Sequence, residues 1–169
     1  PHGAAQVKKR RFFPAPGLGF FAYLCYNFED YEFVQEEETY MEQNLTFADL
    51  GLSAEILQAL EQKGYGYPTR IQAEAIPPFM QWKDVIAKAP TGTGKTFAFG
   101  IPMIEHIDAA SEDLQGLILA PTRELAIQIC DELRGLLKFY KDIRVAVVYG
   151  GAKIEGQISQ LKKHPQIVV

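Results

Sequence analysis

The sequence predicts an α/β domain in which a parallel sheet carries helices on both faces. Two observations support this fold class. From residue 53 onward, helical and strand-like segments alternate, which favours right-handed crossovers between parallel strands. In addition, the glycine-rich stretch APTGTGKT (89–96) lies between a strand-like run and a helical one, which is the setting of a phosphate-binding loop.

The elements follow one another in a regular order. Ser53 can cap a first helix over 53–64, which Gly64 ends, and a second helix over 69–76 is expected to stop at Pro77 and Pro78. A short buried strand is predicted at 84–89, directly before the glycine loop. The later segments are helix 95–107, strand 116–120, helix 122–139, strand 143–150, helix 154–163 and strand 166–169.

Composition and charge suit one globular domain. The chain has 169 residues, 47% of them hydrophobic, and a formal net charge of −4. This charge argues against a generally basic nucleic-acid-binding surface but allows a local basic face. Cys25 and Cys130 have the spacing of neither a zinc site nor a disulfide framework, so we expect a reducing compartment and a cytoplasmic protein.

Residues 1–44 differ from the rest of the chain. A basic run (KKRR, 8–11) precedes an apolar run (12–26) and then an acidic one, an order that resembles an export signal. Pro14 and Pro16 break the apolar run, no small-residue cleavage site follows, and the run is too short to span a bilayer. We therefore expect no membrane segment, and we interpret 1–44 as a poorly ordered extension of doubtful origin.

The glycine loop has the chemistry needed to hold the phosphates of a nucleotide. Its glycines let successive backbone N–H groups converge on phosphate oxygens, and the helix that follows adds its positive amino-terminal end. Lys95 can reach the β- and γ-phosphates and Thr96 can coordinate Mg²⁺, so these two are the predicted catalytic residues and Thr96 the metal ligand. The alternative is a chance glycine loop in a βα turn. The predicted phosphate-binding residues are Ala89, Pro90, Thr91, Gly92, Thr93, Gly94, Lys95 and Thr96.

The stretch GYGYPTRIQ (64–72) has side chains that suit adenine. A glutamine amide donates and accepts at once, so Gln72 can pair with both N6 and N7 of adenine, a pattern that guanine does not offer. Thr69 begins the helix that carries Gln72, and Phe47, 17 residues before Gly64, offers a ring for stacking. Tyr65 completes the predicted adenine site. The alternative places Gln72 on a solvated helix face and Phe47 in the core.

Two further stretches suggest contacts to a nucleic-acid backbone. In PTRELA (121–126), Pro121 precedes Thr122, which can cap a helix whose N–H groups hold a phosphate, and Arg123 can add a charge-assisted hydrogen bond. In YGG (149–151), Gly150 and Gly151 follow a strand and allow a ligand backbone to approach closely. The alternatives are a helix cap with solvated charges and a simple turn.

Together these motifs resemble those of DEAD-box proteins, which are ATP-dependent RNA helicases of superfamily 2. The resemblance covers 46–169, where the stretches above match the Q motif with its upstream aromatic residue, the P-loop, motif Ia and the GG element. Pro90 departs from the family, which most often has Gln there. The resemblance implies an incomplete RecA-like P-loop domain over 45–169 that binds ATP, Mg²⁺ and single-stranded RNA, the RNA largely without regard to sequence. The full-length protein would unwind short duplexes.

The resemblance also implies parts that this chain does not contain. It ends where the family's TPGR-like element should begin, and the DEAD strand, the SAT element and the second, carboxy-terminal RecA-like domain would all follow. We therefore expect a monomeric amino-terminal fragment that hydrolyses ATP negligibly by itself and whose P-loop strand lacks its normal neighbour. Two alternatives stay open: a non-catalytic module that binds adenine nucleotide or RNA, and a superfamily 2 DNA helicase.

Overall fold

A computed structural model describes the backbone of residues 7–8 and 20–23 and the whole of residues 45–169. The five helices in these ranges are α1 (Ala54–Gln62), α2 (Arg70–Met80), α3 (Lys95–Glu105), α4 (Arg123–Leu136) and α5 (Ile154–Leu161), and short 3₁₀ helices cover Ala48–Leu50 and Leu137–Phe139. The strands are β1 (Val7–Lys8), β2 (Phe20–Tyr23), β3 (Ile86–Ala87), β4 (Gly116–Leu119), β5 (Val145–Ala146) and β6 (Ile167–Val168).

Four of the strands form one parallel sheet in the order β2-β4-β6-β5. Ile167 is the central residue of the register, paired with Gly116 on one side and with Val145 on the other. The β5–β6 ladder continues past the strand ends, because the N–H of Val169 donates to the carbonyl of Ala146 at 2.9 Å and the N–H of Val148 donates to the carbonyl of Val169 at 2.8 Å. The predicted α/β class with a parallel sheet is confirmed.

The strand before the glycine loop does not join this sheet. β3 pairs antiparallel with β1, in the register Val7 with Ala87, and both of its residues are exposed. The prediction of a buried strand over 84–89 is therefore wrong. Within 45–169 no other strand pairs with β3, so its apolar residues lack the sheet neighbours and covering helices that would bury them.

The predicted stop of the second helix at Pro77 and Pro78 is also wrong, because α2 continues through both prolines to Met80. Each proline removes one N–H from the helix, so the carbonyls of Ala73 and Glu74 lose the partner that a regular α-helix would give them. Phe79 and Met80 beyond them pack against the hydrophobic core. We infer that this burial offsets the missing hydrogen bonds and keeps the last turn helical.

The core lies where α3 and α4 meet. α3 is buried continuously from Phe97 to Ile104, and α4 buries one stripe at helical spacing, made of Ala126, Ile129, Cys130, Leu133 and Leu136. At Gly100 the two helices approach so closely that a Cβ would lie 2.7 Å from Cδ2 of Leu133. α2 packs along α3, which brings the amino-terminal end of α2 beside the loop from which α3 begins.

Several sequence predictions fall outside the ranges given above. Apart from β1 and β2, residues 1–44, including Cys25, lie outside the described residues, so the poorly ordered extension stays a prediction.

Cys130 is a buried free thiol, and burial raises its pKa above the ordinary value. In the described part of the chain, no helix has the length and apolar character required to cross a bilayer.

Candidate nucleotide and nucleic-acid site

The amino-terminal end of α2 is tied to the glycine loop by two side-chain hydrogen bonds. The hydroxyl of Thr69 donates to the carbonyl oxygen of Thr93 at 2.8 Å, and Nε2 of Gln72 donates to the carbonyl oxygen of Gly94 at 3.1 Å. Oε1 of Gln72 accepts the backbone N–H of Thr69 at 2.8 Å, which completes a capping box at the start of α2. The sequence singled out Thr69 and Gln72 as ligand-binding residues, and the structure adds that they position the loop.

After these contacts, the side-chain amide of Gln72 can still donate one hydrogen bond and accept one. A glutamine amide has two donor hydrogens and two acceptor lone pairs, and each contact to Thr69 and Gly94 uses one of them. The donor and acceptor that remain match N7 and N6–H of adenine. Gln72 is only 4% exposed, which excludes a solvated helix face. Adenine therefore reaches this amide only when the side chain or its cover shifts, and the adenine contact stays a prediction.

The two glycines of the loop have conformations that suit only glycine. Gly92 has φ 84° and Gly94 has φ 83°, both in the left-handed region. The space around them differs: a Cβ at Gly94 would lie 2.2 Å from Nε2 of Gln72, whereas a Cβ at Gly92 would meet nothing within 4 Å. Gly94 is thus needed for two reasons, its φ and the close approach of Gln72, while Gly92 is needed only for its φ.

Lys95, the first residue of α3, turns back onto the loop that precedes it. Its Nζ donates to the carbonyl oxygens of Ala89 and Pro90, both at 2.6 Å. The Pro90 carbonyl also accepts the hydroxyl of Thr93 at 2.8 Å. Partial burial lowers the pKa of the Lys95 ammonium from its ordinary value. Because Nζ of Lys95 contacts these two carbonyls, its contact with phosphate oxygens stays a prediction. Coordination of Mg²⁺ by the half-buried Thr96 also stays a prediction.

The two aromatic residues predicted for the adenine site have different surroundings. Phe47 is 3% exposed and belongs to the main hydrophobic core, which is the arrangement that the alternative interpretation expected. Tyr65 is 50% exposed and its ring meets Phe97 edge to face, with 5.4 Å between the ring centroids. Of the two rings, Tyr65 is the more exposed one, and stacking by Phe47 stays a prediction that requires its core packing to open.

The second predicted group is brought together at the amino-terminal end of α4. The hydroxyl of Thr122 accepts the N–H of Leu125 at 3.2 Å, so Thr122 caps this helix as expected. A Cβ at Gly151 would lie 2.8 Å from an Nη atom of Arg123, and Gly151 has φ 88°. The PTRELA and YGG stretches, about thirty residues apart in the sequence, therefore meet at this guanidinium. Pro121, Thr122, Arg123, Gly150 and Gly151 are all exposed.

One residue that holds this second group was missed by the sequence interpretation. The side-chain amide of Gln157 on α5 accepts the N–H of Tyr149 at 2.8 Å and donates to the carbonyl of Tyr149 at 3.1 Å. This pair of hydrogen bonds fixes the backbone just before Gly150. In the sequence, Gln157 is only one more glutamine on a polar helix face, and nothing distinguishes it from its neighbours.

Within residues 45–169, no group of three His, Cys, Asp or Glu side chains is arranged to hold a metal ion.

Solved structures share this fold. The chain superimposes on a DEAD box protein from the hyperthermophile Methanococcus jannaschii with a TM-score of 0.65 and 42% identity, over 73% of this chain and 34% of that one. The RNA helicase Prp28 from Chaetomium thermophilum, bound to ADP, gives a TM-score of 0.66 and 36% identity, over 73% of this chain and 31% of that one. The fold is thus that of the RecA-like domains of helicases.

Sequence comparisons identify the family. Residues 69–169 match the family model described as DEAD/DEAH box helicase. The DEAD-box ATP-dependent RNA helicase CshA of Bacillus cereus is 51% identical over 124 residues, and the CshA helicase of Limosilactobacillus reuteri is 52% identical over 125 residues. These matches cover 73% and 74% of this chain but only 23% and 25% of the relatives. The chain belongs to the DEAD/DEAH box helicase family and spans about a quarter of the length of these relatives.

The contrast between the two loop glycines predicts different costs for the same substitution. Gly92→Ala should lower the free energy of unfolding by about 1 kcal/mol, because alanine resists the left-handed conformation. Gly94→Ala should cost about 1–3 kcal/mol more, because its Cβ displaces Gln72 and breaks the hydrogen bonds to the loop. Urea unfolding of the ligand-free chain and both variants measures the difference. Equal losses would show that the contact between Gln72 and the loop contributes nothing.

Proposed function

We propose that this chain is the ATP-binding part of an ATP-dependent RNA helicase, and that the full-length protein unwinds short RNA duplexes. The curated relatives are named as such helicases, but the chain spans only 23% of the Bacillus cereus relative. The observation that carries the proposal for the chain itself is the pair of hydrogen bonds from Thr69 and Gln72 to the glycine loop. They hold the amide that we propose reads adenine next to the loop that we propose binds the phosphates.

The roles of the nucleotide-binding residues follow from their positions. The residues of the loop from Ala89 to Gly94 other than Pro90 would offer backbone N–H groups to the phosphates, and Lys95 would supply a positive charge at the start of α3. The donors fit Mg²⁺, which usually keeps several waters and takes few protein ligands, so the hydroxyl of Thr96 together with phosphate oxygens would suffice. Bound Mg²⁺ would neutralise phosphate charge. The ADP bound to Prp28, a neighbour with the same fold, supports adenine as the base.

The group at α4 would hold the backbone of single-stranded RNA. Thr122 and the N–H groups at the helix start can bind one phosphate, and Arg123 can bind the same or the next one. Gly150 has open space where a Cβ would project, so a sugar or phosphate can approach its backbone closely. Contacts of this type do not depend on base identity, which agrees with binding that is largely independent of sequence. A monomeric state, a cytoplasmic location and a second RecA-like domain as partner stay predictions.

Binding of ADP but not of GDP is the first expected result. With Mg²⁺ and nucleotide at a hundredfold excess over Kd, ADP should raise the stability of the chain by about 2.7 kcal/mol. GDP should raise it far less, because its base offers Gln72 the wrong edge. Gln72→Glu should reduce the ADP effect, and Gln160→Glu on the exposed face of α5 is the matched control. Thermal melts test this; equal shifts by both nucleotides would refute the adenine site, and no shift with either would refute nucleotide binding.

RNA binding should depend on Arg123. Arg123→Ala should weaken binding to a single-stranded RNA and reduce the slope of log Kobs against log salt by about one, because one phosphate contact is lost. Arg134→Ala, in the last turn of α4, is the matched control, since Arg134 pairs with Asp131 on the surface. Fluorescence anisotropy at several salt concentrations gives both quantities. A DNA oligonucleotide of the same sequence that binds equally well would favour the superfamily 2 DNA helicase instead.

The isolated chain should bind ATP without turning it over. Hydrolysis needs a group that orients and deprotonates the attacking water, and the roles proposed above for Lys95 and Thr96 are to bind phosphate and Mg²⁺, not to act as this base. Phosphate release with ATP, Mg²⁺ and RNA should therefore equal that of the Lys95→Ala variant. An RNA-stimulated rate well above this variant would contradict the expectation, and binding with no turnover would also suit a non-catalytic module.

A further inference from the structure

We propose that Pro90 is a positioning residue that holds Lys95 against the glycine loop, and that phosphate binds by drawing the ammonium away from the loop carbonyls. This inference rests on the proposed function. The contacts that carry it are the two hydrogen bonds from Nζ of Lys95 to the carbonyl oxygens of Ala89 and Pro90, both at 2.6 Å. These three groups are called the lysine latch below.

The Pro90 carbonyl is the centre of the latch. It accepts Nζ of Lys95 and also the hydroxyl of Thr93, the latter at 2.8 Å. A carbonyl oxygen has two lone pairs, so these two donors satisfy it fully. An ammonium is a compact charge that is costly to strip of water, and two short charge-assisted hydrogen bonds replace part of that hydration for the half-buried Lys95.

The proline ring restricts the backbone that carries the two carbonyls. It fixes φ of Pro90 near −65°, and its steric bulk restricts Ala89 to extended conformations. The peptide plane that carries the Ala89 carbonyl is therefore largely oriented before the lysine arrives, so less backbone entropy is lost when the latch forms. Any other residue at position 90 would remove both restraints, while its carbonyl would still be present.

The latch has a consequence for affinity. A phosphate must exchange two carbonyl contacts of Lys95 for contacts with its own oxygens, so only the unlatched fraction of molecules is ready to bind. The apparent Kd rises as the inverse of that fraction, and a latch that is closed for two thirds of the time raises Kd about threefold. A substitution that loosens the latch should therefore tighten nucleotide binding, although it removes order from the free loop.

Pro90→Ala tests this inference in the whole chain. It should lower the Kd for ADP-Mg by about threefold, as measured by titration calorimetry. Pro78→Ala is the matched control, since it makes the same replacement in α2, where alanine is the better helix former. A Kd for Pro90→Ala that equals or exceeds that of the parent would overturn the proposal, and so would an equal tightening in Pro78→Ala.

A second measurement requires no loop variant. The ammonium protons of Lys95 can be followed by NMR and assigned from the signal lost in Lys95→Met; in the free chain they should exchange with water more slowly than those of exposed lysines. ADP-Mg should shift this signal, whereas adenosine, which has no phosphate, should leave it in place. Fast exchange in the free chain, or an equal shift with adenosine, would overturn the latch. If ADP does not bind at all, the proposed function fails, and the exchange rate alone still shows whether the loop holds Lys95.

Discussion

The attachment of the glycine loop to α2 is the interaction on which the rest of the site depends. The strand before the loop, β3, stands outside the four-stranded sheet and is exposed, so it gives the loop little support. The loop is instead held from the other side, by Thr69 and Gln72, and by its continuity with the buried helix α3. Because α2 packs along α3, the residues proposed to read the base and the loop proposed to hold the phosphates belong to adjoining elements of one packed unit.

If the chain binds nucleotide as proposed, binding would be an exchange of contacts rather than the filling of an open site. In the ligand-free loop, side-chain donors already occupy the carbonyls of Ala89, Pro90, Thr93 and Gly94. Lys95 and Gln72 each have a partner inside the protein that a nucleotide must replace or share. A free loop that satisfies its own polar groups avoids the cost of burying them unpaired. Breaking these internal hydrogen bonds would reduce the net free energy of nucleotide binding.

The sequence predicted well those features that depend on local chemistry. The glycines of the loop, the Thr122 cap and the alternation of helices and parallel strands each follow from rules that involve a few neighbouring residues. The errors have another origin. α2 continues past Pro77 and Pro78 because of the core contacts made by Phe79 and Met80. β3 is exposed because it does not pair with any strand of the four-stranded sheet. The burial of Phe47 and the hydrogen bonds of Gln157 likewise depend on distant segments, which local rules do not reveal.

Helix ends, rather than net charge, are the feature that would let an acidic chain bind the two anionic ligands proposed above. The chain carries a net charge of −4, yet both candidate groups are built around helix amino termini, those of α2 and α3 at the loop and that of α4 at Arg123. The helix dipole provides positive potential there, and it acts only within the first turn. One lysine and one arginine then add full charges where phosphates would lie. Attraction at short range combined with repulsion at long range favours ligands that fit these positions over polyanions in general.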